Sequence, residues 1–418
     1  MPKQDKNIRR AAVSILRAWS KGHVYAETLI DKHARKNKLS PSDRGLLNAI
    51  ILAVLRNRRL LDFSIARLRK GKLDHETRDI LRVGLAQILL LGIPDYAAVN
   101  ETVNCGRASA RGLINAVLRQ AIEKRQMLMA KVAALPPAEQ YSHPDWLAKR
   151  WRGQFGKEKT TEIMHWNNYP ADTTLRLNSL RPDSAALATD PRLEAIPEVD
   201  GFYILDGPVP GEWTEEGLVY MTDPATRLSV ELLNPQPGEK VLDACAAPGG
   251  KAAFIAALMQ NQGSLLCTDS NELRLPRLQE NLSKLGATIA ETKAYDWTQA
   301  PPEEWLKSFD AILLDVPCSN TGVLRRRVDA RWRLTPEQIE ELNEIQQTIL
   351  TNATKCLKIG GRLVYSTCSL ESDENEDLVK PFAKGRNLEV VETRQSLPHR
   401  DKQDGAFAAL LRFKEGTL

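Results

Sequence analysis

Residues 8–130 carry apolar side chains at the three- and four-residue spacing of a helix face. Ile8, Ala11, Ala12, Ile15, Leu16 and Trp19 form one such set, and Leu46, Leu47, Ile50, Ile51, Val54 and Leu55 another. An all-α bundle follows. Gly22, Ser40-Pro41, Gly71 and Gly92-Ile93-Pro94 break the pattern into five or more helices. Ser40-Pro41-Ser42-Asp43 has the chemistry of a helix start, a capping serine before a first-turn proline. The longest apolar stretch, Val83 to Ile93, is interrupted by Gln87 and falls well short of the ~18 to 20 residues that span a bilayer. It reads as a buried helix.

From Leu135 to about Asp223 the texture changes to short strand-like pieces, Thr173 to Asn178 and Gly201 to Leu205, between prolines and glycines. Beyond Pro235 strands and helices alternate. Strands are expected at Lys240–Asp243, Ser264–Asp269, Ile312–Asp315 and Arg362–Tyr365, with helices to about Met259, to Leu285, and from Thr335 to Leu357. Apolar runs that end in a carboxylate and lead into a helix are what a parallel sheet with crossovers requires. The expected organisation is a helical domain over 1–135, a small α+β domain over 136–223 and an α/β, Rossmann-like domain over 224–418. Pro276 is expected to kink the helix after Asp269.

Composition agrees with a multidomain globular chain: 418 residues, 42% hydrophobic and 27% charged, with a mean hydropathy of −0.36. Disordered, collagen-like and membrane classes are excluded. The charged start, Met1 to Arg10, has no apolar run behind it, so no secretory leader is expected and the chain is placed in the cytosol. Six cysteines without one C-x-x-C pair argue against a zinc site, any metal centre of that type and a disulfide framework.

The net charge of +5 hides an asymmetry. Residues 1–140 hold 26 Lys+Arg against 12 Asp+Glu, or +14, leaving 32 against 41, or −9, for the rest. A basic helical third suggests a module that meets a polyanion. Single clusters such as Arg56-Asn57-Arg58-Arg59 and Arg67 to Lys72 read equally as solvated helix surface.

Val241 to Lys251 reads as a strand, a turn of small residues and a helix start, with Cys245, Ala246, Ala247, Pro248, Gly249, Gly250 and Lys251 in the turn. Small side chains let backbone N–H groups approach a ligand. Ala252 replaces the magnesium-binding Ser/Thr of a phosphate loop, and G-x-G-x-x-G is absent, which disfavours a nicotinamide dinucleotide. Asp269, at the next strand end, suits a ribose diol, and Asp296 suits an adenine amino group. An adenosine held by carboxylates without a phosphate cradle fits S-adenosylmethionine.

Two more strands close on Asp315-Val316-Pro317-Cys318-Ser319 and on Tyr365-Ser366-Thr367-Cys368-Ser369. A strand-end cysteine is usually a small buried hydrophobe, the reading given to Cys245, Cys267 and Cys356. Two of them beside an acid suit one reaction: a thiolate that adds to carbon-6 of cytosine turns carbon-5 into a nucleophile for an electrophilic methyl.

Ala246 to Lys251, Asp315 to Ser319 and Ser366 to Ser369, in this order, resemble the motifs of the RNA (cytosine-5)-methyltransferases. The basic third is similar to a NusB-type RNA-binding module at Asp43 to Leu47 and Asn115 to Arg119, and the combination resembles the family's 16S rRNA branch along nearly the whole chain. The resemblance implies Cys368 as nucleophile, Cys318 in product release and Asp315 on the cytosine. It also implies S-adenosylmethionine contacts from Cys245 to Lys251, Asp269, Asp296 and Asp315, and RNA as partner; no membrane is expected, the longest apolar stretch being too short, and a monomer is the default state. In DNA methyltransferases the cysteine after a proline attacks instead, which would give that role to Cys318. Transfer RNA, another rRNA, or a non-catalytic assembly role stay open beside the 16S reading. Thr222-Asp223, Arg327-Val328-Asp329 and Asp404 to Ala409 depart from the family pattern of Gln-Asp, His-Pro-Asp and a second aromatic, and bear on RNA positioning.

Overall fold

The computed structural model describes residues 7–22 and 24–414; most of the charged start, residues 1–6, on which the absence of a leader was argued, lies outside them. The chain divides into two compact units. One comprises residues up to Tyr169 with Arg327–Arg333, the other Pro170–Arg326 with Leu334 onward.

The first unit is helical. Its elements are α1 (Ile8–Lys21), α2 (Ala26–Asn37), α3 (Pro41–Arg56), α4 (Arg58–Leu68), α5 (His75–Leu89), α6 (Asp95–Val103), α7 (Ala108–Glu123), α8 (Arg125–Ala133), α9 (Pro137–Gln140), α10 (Asp145–Phe155) and α11 (Lys157–Trp166). The expected cap is present: Ser40 Oγ accepts from the Asp43 amide at 3.1 Å, with Pro41 in the first turn. The apolar stripes meet in one core of Ile15, Leu16, Leu47, Ile50, Ile51 and Leu55 around α5. Each such fully buried side chain contributes roughly 1.5–3 kcal/mol. Gly84 lets α5 and α7 close up, since a Cβ there would stand 2.6 Å from Leu118.

Residues 327–333 belong to this unit although they come from late in the chain. Asp329 Oδ2 accepts from Trp19 Nε1 at 3.0 Å and from the Ala26 amide at 2.8 Å, supplying α2 with the cap that Tyr25 cannot provide. Val328 enters the helical core, and Trp332 Nε1 donates to Leu55 O at 2.7 Å. Arg331 is completely buried, donating to Asn167 O and Asn168 Oδ1, both at 3.0 Å. Burial, then the Arg56 charge, lowers its pKa to about 9.

The second unit holds two sheets. Strands β1 (Thr174–Leu177), β2 (Leu193–Ala195) and β3 (Phe202–Leu205), helix α12 (Gly211–Glu215) and strand β4 (Val219–Met221) form the small one, antiparallel in the order β2-β3-β1-β4. Then follow α13 (Arg227–Leu233), β5 (Lys240–Asp243), α14 (Gly250–Leu258), β6 (Ser264–Asp269), α15 (Leu275–Leu285), β7 (Ala290–Ala294), β8 (Phe309–Asp315), α16 (Pro336–Thr354), β9 (Leu357–Thr367), α17 (Glu376–Lys384), β10 (Leu388–Ser396), α18 (Pro398–Asp401) and β11 (Ala406–Phe413). The seven-stranded sheet has the order β10-β11-β9-β8-β5-β6-β7. Strands β7, β6, β5, β8 and β9 run parallel, and the β10–β11 hairpin adds an antiparallel edge. The order reverses at β5, so the ligand crevice of such a sheet opens between β5 and β8, outside their carboxyl ends.

Pro276 corrects an expectation. A 3-10 turn over Glu272–Arg274 precedes α15, so the proline falls in the first turn of the helix, where its missing N–H is no loss. The helix is not kinked there.

Candidate active site

The turn after β5 is fixed by hydrogen bonds to β6. Ala246 N donates to Thr268 O at 2.8 Å, and Thr268 Oγ1 donates to Ala244 O at 2.8 Å while accepting from Trp297 Nε1 at 2.8 Å. The turn is thereby tied to β6. Gly249 precedes α14 with φ at 108°, and a Cβ on Gly250 would stand 2.2 Å from the Tyr220 ring. Only glycine fits at these two positions.

Three carboxylates follow successive strands at this edge. Asp243 closes β5, completely buried, and no side chain hydrogen-bonds either of its oxygens, the Cys245 amide being the polar group beside them. Burial, then the Asp315 charge, pushes its pKa up to about 7 against the opposing pull of Lys251. Asp269 closes β6 and accepts from the Asn271 amide at 2.9 Å. Asp296 stands two residues past Ala294, the register partner of Asp269, exposed and accepting from Thr298 N at 2.9 Å and Thr298 Oγ1 at 2.8 Å. Desolvation and the Asp243 charge push the Cys245 thiol well up, so it is neutral.

Lys251 points its ammonium at Asp315. Burial alone would lower its pKa, but Asp315 outweighs it and the net shift is upward. A charged lysine thus sits on the carboxylate that ends β8.

Strands β8 and β9 pair Asp315 with Ser366, so the segments that follow them emerge side by side. Cys318 Sγ and Cys368 Sγ lie 3.2 Å apart, and the Cys368 amide donates to Cys318 Sγ at 3.4 Å. Cys318 is buried at 8% exposure, whereas Cys368 is more open and its thiol reaches Asn320 Oδ1 at 3.4 Å. The bond to Cys368, then burial, pushes the Cys318 thiol well up. Cys267 and Cys356 are buried thiols with raised pKa, Cys356 to about 12, as expected of small hydrophobes.

Three side chains that escaped the sequence reading complete the surroundings. Asn320 meets Cys368, Asp243 lies completely buried at the end of β5, and completely buried Glu374 accepts from Ser319 and Ser369. Asp243 carried a signal, being the first of the strand-end carboxylates; the others are visible only once the loops are folded together. Among the described residues no group of three or more His, Cys, Asp or Glu could hold a metal, and no helix is long and apolar enough to cross a membrane.

Residues 230–412 match the model of the 16S rRNA methyltransferase RsmB/F family, 6–123 that of the NusB family and 143–193 that of the ferredoxin-like domain of RsmF/B-like methyltransferases. Ribosomal RNA small subunit methyltransferase B of Klebsiella pneumoniae is 35% identical over 98% of this chain and 99% of its own. The protein of that name from Escherichia coli O1:K1 is 34% identical over the same shares, 98% and 99%. The chain belongs to the RsmB/F methyltransferase family. The crystal structure of PH0851, at 23% identity, superposes with a TM-score of 0.77 over 97% of this chain and 98% of that one, which shows a shared fold.

RsmB/F proteins are S-adenosylmethionine-dependent methyltransferases, and the crevice of this member fits that group. Asp243 offers two buried acceptor oxygens to a cationic ligand. Gly249 and Gly250 let the turn pack close to Leu278 and the Tyr220 ring, where a Cβ would stand 3.0 and 2.2 Å away.

Proposed function

We propose that the protein methylates carbon-5 of a cytosine in small-subunit ribosomal RNA, with Cys368 as the nucleophile. The observation that carries this reading is the pair of thiols 3.2 Å apart at two adjacent parallel strand ends, beside Asp315. S-adenosylmethionine, when bound, supplies the electrophilic methyl group. The small-residue turn Cys245 to Lys251 with Asp243, Asp269 and Asp296 would hold it.

The Cys368 thiolate forms a bond to carbon-6 of the base, the ring's electron pair moves to carbon-5, and carbon-5 takes the methyl as the bond from that methyl to the donor's sulfur breaks and leaves its electron pair on sulfur. The carbon-5 proton then leaves to a base, the electron pair returns to the ring, and the bond from carbon-6 to sulfur breaks. Asp315 orients the cytosine by accepting from its exocyclic amino group, and the Lys251 ammonium beside it stabilises the negative charge that the addition leaves on the ring. Cys318, kept as a neutral thiol by Cys368 and burial, assists elimination and is the weaker candidate for attack.

The target base is turned out of its stack into this pocket, and the basic helical unit carries the RNA backbone. Action on ribosomal RNA places the protein in the cytosol, with a monomer as the default state. Transfer of labelled methyl to unmodified small-subunit rRNA, followed by bisulfite sequencing, tests the reading. A discrete methylated cytosine that vanishes with Cys368→Ala is expected; label at another atom, or none in the wild type despite bound cofactor, would overturn it.

A further inference from the structure

We propose that Glu374 is the positioning residue that holds both cysteine loops in reacting register, one carboxylate bonded to the residue that follows each thiol. The proposal deepens the methyl-transfer reading and rests on it.

Glu374 ends a 3-10 turn, Ser372–Glu374, just before α17 and is completely buried. One carboxylate oxygen accepts from the Ser319 amide and from Gln346 Nε2, both at 2.9 Å. The other accepts from the hydroxyls of Ser319 and Ser369. A carboxylate offers about four lone-pair sites, and here all four have donors. Ser319 follows Cys318 and Ser369 follows Cys368, so a single side chain clamps loops that leave different strands.

The clamp is itself held from behind. Gln346 on α16 also donates to Pro317 O at 2.9 Å, and Tyr365 Oη donates to Glu374 O at 2.7 Å. Asn375 accepts from Thr367 Oγ1 at 2.6 Å and donates to Ser369 O at 2.9 Å. A buried ion is weak evidence of stabilisation, because well-packed apolar groups often serve as well. What a fully bonded carboxylate adds is direction: charge-assisted bonds are short and orient both hydroxyls. Its charge also adds, after the Cys368 bond and burial, to what keeps Cys318 a thiol.

The test uses the full chain with Glu374→Ala, Glu374→Gln and Ser369→Ala. Two readouts are taken: steady-state methyl transfer to small-subunit rRNA, and the rate at which diamide, reduced to the hydrazine as it takes two hydrogens, joins Cys318 to Cys368. For Glu374→Ala, kcat is expected to fall about a hundredfold and disulfide formation about tenfold, with KM for S-adenosylmethionine within about threefold of wild type. Glu374→Gln keeps one acceptor oxygen for the Ser319 amide and Gln346, and recovers most of both rates. Should Glu374→Ala fail to fold, Ser369→Ala removes one of the four bonds and is expected to lower both rates about tenfold. A wild-type disulfide rate in these variants, or a loss of transfer that lies wholly in KM, overturns the proposal. The disulfide readout stands whether or not Cys368 attacks the base, so a methylating Cys368→Ala enzyme would sink the mechanism and leave the clamp to be judged separately.

Discussion

The amide of Gly322 donates to the carbonyl of Cys368 at 2.9 Å, and the Gly322 carbonyl accepts from Gly405 N at 2.8 Å. Three loops meet at this glycine. A Cβ at 322 would lie 2.7 Å from Cys368 O and 2.6 Å from Gly405 O, both backbone atoms with nowhere to retreat. Gly322→Ala is therefore expected to displace Cys368 and to lower methyl transfer about a hundredfold, since small misplacements are costly in catalysis. Binding of S-adenosylhomocysteine, measured by calorimetry, should change less than about twofold if the cofactor turn is undisturbed.

Asp329 makes a different prediction, one of stability. It caps α2 and accepts from the buried Trp19 indole, so Asp329→Ala removes a cap and orphans a buried donor. The expected loss is about 2–4 kcal/mol in denaturant unfolding, summing a cap and an unsatisfied group. Asp329→Asn, which keeps one acceptor oxygen, should cost less. Equal stability of wild type and alanine variant would show that the segment 327–333 is not part of the helical unit's structure.

Asp243 sets a pH dependence whose sign can be worked out. Its folded pKa of about 7 lies above the ordinary 3.8, so the folded protein binds an extra proton between those values. Stability from this group is full below the ordinary pKa and is lost as pH rises toward 7. A cationic ligand favours the ionised form, so affinity for S-adenosylmethionine, which carries the sulfonium charge, should rise with pH up to about 7 and then level, by at most about tenfold per unit. Calorimetry from pH 5.5 to 8 checks this, and Asp243→Asn should flatten the profile; a flat wild-type profile would contradict the assignment.

The basic helical unit spends part of its charge internally. Arg58 lies over the rings of Trp19 and Trp332 at 5.5 and 5.6 Å, and Arg59 pairs with Asp145 at 2.7 Å. The cluster Arg56 to Arg59 therefore serves packing more than solvent. Arg10 and Lys21 on α1 are exposed, Arg10 also donating to Asn104 O at 3.0 Å. Reversing both to Glu should weaken RNA binding about tenfold or more and reduce the salt slope by about 2, with cofactor affinity unchanged. An unaltered slope would take the RNA contact away from α1.

How much of this was legible in the sequence follows from where each signal lives. Strands β5, β6 and β8 announced themselves because apolar runs end in carboxylates, and β9 as the apolar run into Tyr365; the register then brings Asp315 and Ser366 level. The hairpin β10–β11 did not, since Leu388–Ser396 is a charged, largely exposed edge that reads as loop. Arg331 sits in a run of arginines that looks solvated, yet it is completely buried. Glu374 lies six residues beyond Cys368 among other acids, and nothing local distinguishes it from them. Its four donors arrive from loops and a helix that only the tertiary fold assembles. The two thiols were found because chemistry, and not periodicity, singles out a cysteine at a strand end.

The central claim is a covalent bond from Cys368 to carbon-6 of the target cytosine. Cys318→Ala, incubated with small-subunit rRNA and S-adenosylmethionine and run on a denaturing gel, tests it most directly. The account predicts a protein–RNA adduct that accumulates in Cys318→Ala and is absent from the Cys318→Ala, Cys368→Ala double variant. An adduct that persists without Cys368, or that forms only when Cys318 is intact, would contradict it.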